Sequence, residues 1–370
     1  MKEIKTIIEK YHQIDFNQHR AALVTVVRVE GSSYRRTGAR MLVTDNGEWT
    51  GGISGGCLEG DALRKARLSM AQNKPALVTY DTSQDDPFQV GVGLGCNGII
   101  DVLIKPLDAN AANNPVTILQ NNAPDRRSAV VLTLTALSQA HPLLQLGDVF
   151  RYDSDQQFGV HFPIEALEDG LLGEIKDVLS TKKSNVFVGV HAGATLTFFL
   201  ELLPPPIHLA IYGGGYDVYP LVRLAKELGW EVSVVCNVVR ARQALFEVAD
   251  RVLDKQTDHA RIDAYTAVVL MSHDYESDFE NMERFLQTPL SYLGMLGPRK
   301  RTQKMFDRMA SENRPISDEN LARISSPIGL DIGATTPEEI ALSVLAEIRA
   351  HFAQRGGSRL KDRQKPINED

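Results

Sequence analysis

Apolar residues recur at Ile4, Ile7, Ile8 and Tyr11, three and four positions apart. That spacing puts them on one face of a helix, predicted over residues 2–18. The period then changes. Residues 21–29, AALVTVVRV, form a β-branched apolar run of the buried-strand type. A polar turn, GSSYRRTGAR, follows. Strands are predicted at 40–44 and 48–54, joined by the tight turn Asp45-Asn46-Gly47. Residues 57–72 read as a helix, and 76–80 and 99–104 as strands. The Asn-, Ala- and Pro-containing stretch 108–127 reads as a surface connection. Further strands are predicted at 129–134 and 185–190.

At Pro204-Pro205-Pro206 the rhythm breaks. Three prolines favour a stiff, extended segment that cannot donate to a sheet. Beyond them strand and helix alternate: strands at 208–212, 231–235 and 268–271, with a helix over 218–228 between the first two. Such alternation predicts a parallel sheet covered by helices. The expected fold class is therefore α/β, a mixed N-terminal domain followed by a Rossmann-like one. The expected boundaries are 1–203, a linker at 204–206, 207–353, and a loose charged tail at 354–370.

The 370 residues are 43% hydrophobic, enough for two ordinary cores. The formal charge of −7, with basic residues scattered along the chain, argues against nucleic acid as a partner. The sequence MKEIKTIIEKYHQ lacks the apolar core of a signal peptide. No stretch approaches the about 18 apolar residues of a membrane span. Three cysteines, Cys57, Cys96 and Cys236, show no zinc spacing and fit a reducing compartment. A cytoplasmic protein without stable membrane insertion is expected.

Candidate chemistry lies in glycine-rich turns. GEWTGGISGGCLEGDAL holds Cys57 beside Gly55 and Gly56, and QVGVGLGCNGIIDVLI holds Cys96 beside Gly95. Glycine lets backbone N–H groups turn toward a bound group with no Cβ in the way. A thiol at a helix start is favoured as thiolate. Each cysteine is also explained by a packed residue in a tight turn. GSSYRRTGAR offers the hydroxyls of Ser32 and Ser33 and the guanidinium forks of Arg35, Arg36 and Arg40, suited to phosphate. A solvated hairpin loop accounts for the same charges. In HLAIYGGGYD, Gly213 and Gly215 stand where a Rossmann turn meets a phosphate. Cys236 and Asn237 occupy the end of the second strand, where NAD enzymes carry an acid. His273 follows a later strand at the edge that faces ligand in such sheets. Read alone, the glycine turn supports an NAD(P)-dependent oxidoreductase as the alternative function.

Taken together, GSSYRRTGARMLV, GGISGGCLEGDAL, GLGCNGIIDVLI, LELLPPPIHLAIYGGG, YLGMLGPRKR and SSPIGLDIGATTPEEIALSVLAEI resemble the XdhC/CoxI family of accessory proteins of molybdenum hydroxylases. The resemblance covers nearly the whole chain. Tyr34 departs from the proline common there, and Tyr216 from a histidine. The resemblance implies a chaperone that binds molybdenum cofactor, as molybdopterin or its dinucleotide, and holds it while an oxo ligand is exchanged for sulfide. It implies delivery to a xanthine dehydrogenase-type apoenzyme, with a cysteine desulfurase and a second copy of the chain as further partners. It carries over Cys57 and Cys96 as the candidate thiols and molybdenum ligands, with the adjoining glycines and the Arg35/Arg36/Arg40 loop as cofactor contacts.

Overall fold

The computed structural model describes residues 2–81, 98–111, 113–120, 126–257 and 260–364. The chain divides into two compact units, Met1–Pro204 and Pro205–Asp370.

The first unit runs α1 (Lys2–Tyr11), β1 (Ala21–Gly31), β2 (Arg40–Thr44), β3 (Trp49–Gly51), α2 (Glu59–Gln72), β4 (Ala76–Asp81), β5 (Gly98–Pro106), α3 (Pro115–Leu119), β6 (Ala129–Leu137), β7 (Val149–Tyr152), α4 (Asp155–His161), α5 (Glu165–Thr181), β8 (Asn185–His191) and β9 (Ala194–Leu203). Its two sheets have the orders β3-β2-β1-β5-β4 and β7-β6-β9-β8. All pairings in both are antiparallel. Alternation along β1 assigns its two faces. Ala22, Val24 and Val26 pack under Ala62, Ala66 and Met70 of α2, whereas Ala21 and Leu23 turn the other way. That second face shares a core with Ile4 and Ile7 of α1, Val116 and Leu119 of α3, and Val131, Val149 and Leu203 of the other sheet. The far face of the second sheet packs on Leu171, Ile175 and Val178 of α5.

Four local expectations are corrected. The first helix ends at Tyr11 rather than running to residue 18, and turn bonds from Gln13 and Ile14 to Lys10 and Tyr11 close it. The third strand is only Trp49–Gly51, because the chain from Gly52 to Leu58 folds back on itself through Ser54. The helix after it begins at Glu59, so Cys57 precedes it. The stretch 108–127 is not merely a surface connection. It contains α3, whose Asn114 side chain accepts from the N–H groups of Val116 and Thr117 and whose Pro115, Val116 and Leu119 are buried.

The second unit runs β10 (His208–Tyr212), α6 (Val218–Glu227), β11 (Glu231–Cys236), α7 (Gln243–Val248), β12 (Arg251–Asp254), β13 (Thr266–Leu270), α8 (Tyr275–Leu286), β14 (Tyr292–Met295), α9 (Arg299–Ser311), α10 (Asp318–Ala322), β15 (Ile324–Ser325) and α11 (Pro337–Phe352). A short 3-10 turn, Leu360–Asp362, follows. The sheet is wholly parallel in the order β12-β11-β10-β13-β14-β15. This is a doubly wound sheet whose direction of winding reverses between β10 and β13. Its strands are apolar on both faces: Leu209 and Ile211 meet α6 and α11, while Ala210 and Tyr212 meet α8 and α9. A capping box starts α11, with Thr336 accepting from Glu339 N–H and Glu339 returning to the Thr336 backbone. Among the described residues no helix is long and apolar enough to cross a membrane.

Candidate functional sites

At one end of the five-stranded sheet the first unit gathers three of the singled-out segments. Gly31 pairs with Gly98 at the last position of the β1–β5 ladder, so the Ser32–Tyr34 turn leaves the sheet beside the start of β5. The approach is close. A Cβ on Gly98 would stand 2.3 Å from the Ser32 carbonyl oxygen, which only glycine permits. On the other side the Tyr34 ring lies against Gly55, with ring atoms 3.5 Å from where a Cβ of residue 55 would be. Cys57, two residues on, is a free, exposed thiol. Gly95 and Cys96 lie outside the described residues.

The Cys57 turn is held by a relay that its sequence did not advertise. Ser54 donates its hydroxyl proton to Glu59, and its oxygen accepts from the N–H groups of Gly56 at 3.2 Å, Cys57 at 3.1 Å and Leu58 at 3.1 Å. Glu59 also accepts from the N–H groups of Ile53 at 3.1 Å and Ser54 at 2.8 Å. Burial pushes the Glu59 carboxyl up, but these hydrogen bonds outweigh it and hold the group below the usual range. The N–H groups of Gly56, Cys57 and Leu58 are therefore committed to Ser54. A turn away, burial likewise raises Asp61, and Lys65, Arg64 and the Tyr80 hydroxyl together bring it down to about 2.

The arginines of the preceding loop are committed too. Arg40 is buried and forms a two-pronged ion pair with Glu201 of β9, its Nη1 2.9 Å from Oε1. Its own N–H donates to Glu3. Arg35 pairs with Glu3, and Arg36 is partnered as well. The loop thus binds the two sheets and α1 to each other rather than presenting three open guanidinium groups. Ser33 is buried and Ser32 exposed. Two open cavities of this unit, about 360 and 510 Å³, are lined by other residues, among them Lys105, His141 and Asp148 in one and Phe16, Arg20 and Asn110 in the other. No group of three metal-ligating side chains occurs among the described residues.

In the second unit the carboxyl ends of the strands bring together Gly213, Gly215, Cys236 and His273. A Cβ on Gly213 would stand 2.3 Å from the Met271 carbonyl oxygen, and one on Gly214 would stand 2.9 Å from Cys236 Cβ. The glycine turn is what lets β10 close against β13 and β11. Cys236 is buried, and burial followed by the charge of Asp254 pushes its thiol up, so it is an inert packing group. His273 has a left-handed backbone, φ 61°, and its Nε2 lies 2.8 Å from Asp217 Oδ2. Asp217 was missed in the sequence. It sits at the start of α6, where an acid is an ordinary helix-entry residue. No local signal separates that role from a partnership with a residue 56 positions on.

Comparison with known proteins adds the following. The family described as XdhC and CoxI matches residues 17–81, and the one described as XdhC Rossmann domain matches residues 209–348. The chain is 30% identical over 337 residues to a Bacillus subtilis protein described as a probable xanthine dehydrogenase subunit, covering 90% of this chain and 93% of that one. It is 25% identical to the molybdenum cofactor insertion chaperone PaoD of Escherichia coli, covering 89% and 82%. A crystal structure titled as a xanthine dehydrogenase from Bacillus halodurans superposes with a TM-score of 0.68 at 27% identity, over 96% and 98% of the two chains.

Proposed function

The chain belongs to the XdhC and CoxI family, and on that premise we propose that it binds molybdenum cofactor as cargo and passes it to a xanthine dehydrogenase-type apoenzyme. The observation that carries this reading is the gathering of the Ser32–Tyr34 turn, the Ser54–Cys57 turn and Gly98 at one sheet end, with Cys57 exposed and free. The relative named as a molybdenum cofactor insertion chaperone supports the cargo. A soft thiol suits a molybdenum centre with sulfur ligands. Cys57 is the residue of the described set that fits the metal end, and Cys96 is its proposed partner. Arg35 and Arg40 do not fit the phosphate end, because each already holds a carboxylate.

In this reading the protein holds the cofactor while its oxo ligand is exchanged for sulfide, with sulfur supplied by a cysteine desulfurase. The chain's own part is to present Cys57 on a turn fixed by Ser54 and Glu59, so that the thiol projects without the loop rearranging. A nicotinamide-dependent oxidoreductase is disfavoured, since β11 ends at Cys236 and is followed by Asn237, with no acid at that strand end for a ribose diol. The test is co-purification under anaerobic conditions, with molybdenum counted per chain. Wild-type chain is expected to retain cofactor and support activation of the apoenzyme, and Cys57→Ala to lose both. Full retention by Cys57→Ala together with Cys96→Ala removes the thiols from the reading.

A further inference from the structure

The three sheets end in the edge strands β3, β4, β7, β8, β12 and β15. Most of these edges are guarded. β3, β7, β12 and β15 are short, and Arg151 in β7 and Arg251 and Asp254 in β12 add charge. β4 ends in Asp81. Shortness and charge are the usual defences against edge-to-edge pairing. β8 has neither. Its seven residues, NVFVGVH, contain no acid, lysine, arginine or proline.

Alternation puts Val186, Val188 and Val190 on one face of β8, where they are 48%, 58% and 66% exposed. The opposite face is filled by α5. Phe187 packs there, with a ring atom 3.2 Å from where a Cβ of residue 170 would be, and a Cβ on Gly189 would stand 3.0 Å from Leu167. The strand is thus held firmly from one side while its valine stripe stays open.

The ladder also fixes where the backbone points. Val190 opposes Thr195, and Val188 opposes Thr197. The Thr195 N–H donates to Ser138 Oγ at 2.9 Å, and its carbonyl accepts from the Ser138 N–H at 3.0 Å. The Thr197 carbonyl accepts from Thr135 Oγ1 at 3.1 Å. Both threonines therefore direct their backbone toward β6 and the residue after it, away from β8. Their pairs with Val190 and Val188 are the non-hydrogen-bonded ones, so the N–H and C=O groups of those valines point out of the sheet edge. Val186 continues the alternation, its N–H met by Asn185 Oδ1 at 2.8 Å. The same residues offer open backbone and open apolar side chains.

We propose that β8 is a self-association edge, pairing antiparallel with β8 of a second copy of this chain about a two-fold axis at Val188. The Val-x-Val-x-Val pattern reads alike in both directions. In this register Val188 faces Val188 of the second copy and Val190 faces Val186. The Val188 N–H donates to the Val188 carbonyl of the second copy, the Val190 N–H donates to the Val186 carbonyl, and both bonds are returned. The axis runs perpendicular to the sheet, so the valines of both copies lie on one face as cross-strand β-branched pairs. Charge does not oppose the register, since Lys183 falls opposite Gly193 and Lys182 opposite Ala194. The pairing also closes, because each copy spends its one unguarded edge. Growth by joining β8 to the far edge of another copy is disfavoured, since β7 has four residues and its Arg151 is engaged with Asp153. A strip three valines long is smaller than the about 800 Å² per partner of a standard interface. The dimer is therefore one that exchanges with monomer. This inference does not rest on the proposed cargo.

The test is sedimentation equilibrium of the full chain across about a hundredfold range of concentration. A reversible monomer–dimer equilibrium is expected. Val188→Lys sets like charges opposite each other at the axis and is expected to raise the dimer Kd at least tenfold, with the thermal midpoint little changed because the side chain is exposed. Register is read by crosslinking. Hydrogen-bonded antiparallel pairs stand about 5.5 Å apart at Cα, within reach of a disulfide. Mild oxidation of Val188→Cys is expected to yield peptides joined 188 to 188. Val186→Cys alone is expected to give no such link, and its mixture with Val190→Cys to join 186 to 190. The proposal is overturned by a monomer at every concentration, by a dimer that Val188→Lys leaves unchanged, or by Val186→Cys linking to itself as readily as Val188→Cys. A monomeric chain whose capture of a xanthine dehydrogenase-type apoenzyme is lost with Val188→Lys gives the edge to that partner and overturns it as well. None of the association readouts needs cofactor, so their failure leaves the proposed function standing, and loss of molybdenum binding leaves this edge untouched.

Discussion

Arg40 shows how far a residue's type is from its role. In sequence it belongs to a serine- and arginine-rich turn that looks built for phosphate. In the fold it is a buried cation whose partner, Glu201, comes from 161 positions away. Removing one member of a buried pair leaves the other charged and unsolvated, which costs about 3–5 kcal/mol. Glu201→Gln and Arg40→Met are each expected to lower the urea midpoint strongly, with the double change less damaging than their sum. Asp61 gives the pH dependence at this scale. Its folded value of about 2 lies below the ordinary aspartate value, so its stabilisation is complete above the unfolded pKa and is lost as pH falls through the folded one. The window is about pH 4 to 2, and the contribution is on the order of 2 kcal/mol. Asp61→Asn is expected to flatten that limb of the acid-unfolding curve, and Glu59, also depressed, acts in the same direction.

At the scale of elements, the hydrophobic pattern was a sound guide wherever burial is regular. The α1 stripe marks a helix with one buried face, although the helix stops at Tyr11, and the unbroken apolar runs of β10, β11 and β13 mark strands buried on both faces. It failed where an element is short and held by side chains. The helix α3 has five residues and depends on Asn114, whose Nδ2 donates to the Tyr11 hydroxyl at 2.8 Å and to the Asp108 carbonyl at 2.7 Å. Asn114→Ala is expected to cost about 1–2 kcal/mol, measured by chemical denaturation, because a helix cap is lost. The Cys57 turn is a similar case. Its glycines were legible, but the Ser54–Glu59 relay that engages the N–H groups of Gly56, Cys57 and Leu58 was not, since a serine and a glutamate five positions apart have many ordinary uses. The Rossmann turn was legible for the opposite reason. Gly213 is required by an approach to Met271 that no other residue allows. Gly213→Ala is expected to force β10 and β13 apart at that end and to lower the thermal midpoint of the second unit.

For the whole molecule, the change from antiparallel to parallel sheets falls at the three prolines, and the contact division lies between Pro204 and Pro205. Each unit has its own cores. The chemistry is divided in the same way, with the exposed thiol in the first unit and the His273–Asp217 dyad in the second. The dyad was half legible: a histidine after a parallel strand could be singled out, but its carboxylate partner lies 56 positions earlier in the chain, before two helices and three strands. The central claim is that Cys57 meets the metal end of a bound molybdenum cofactor. It is tested most directly by anaerobic molybdenum counting on wild-type chain beside Cys57→Ser. Near-stoichiometric metal on the wild type and at least a tenfold loss on the variant is the predicted result, and equal metal on both contradicts it.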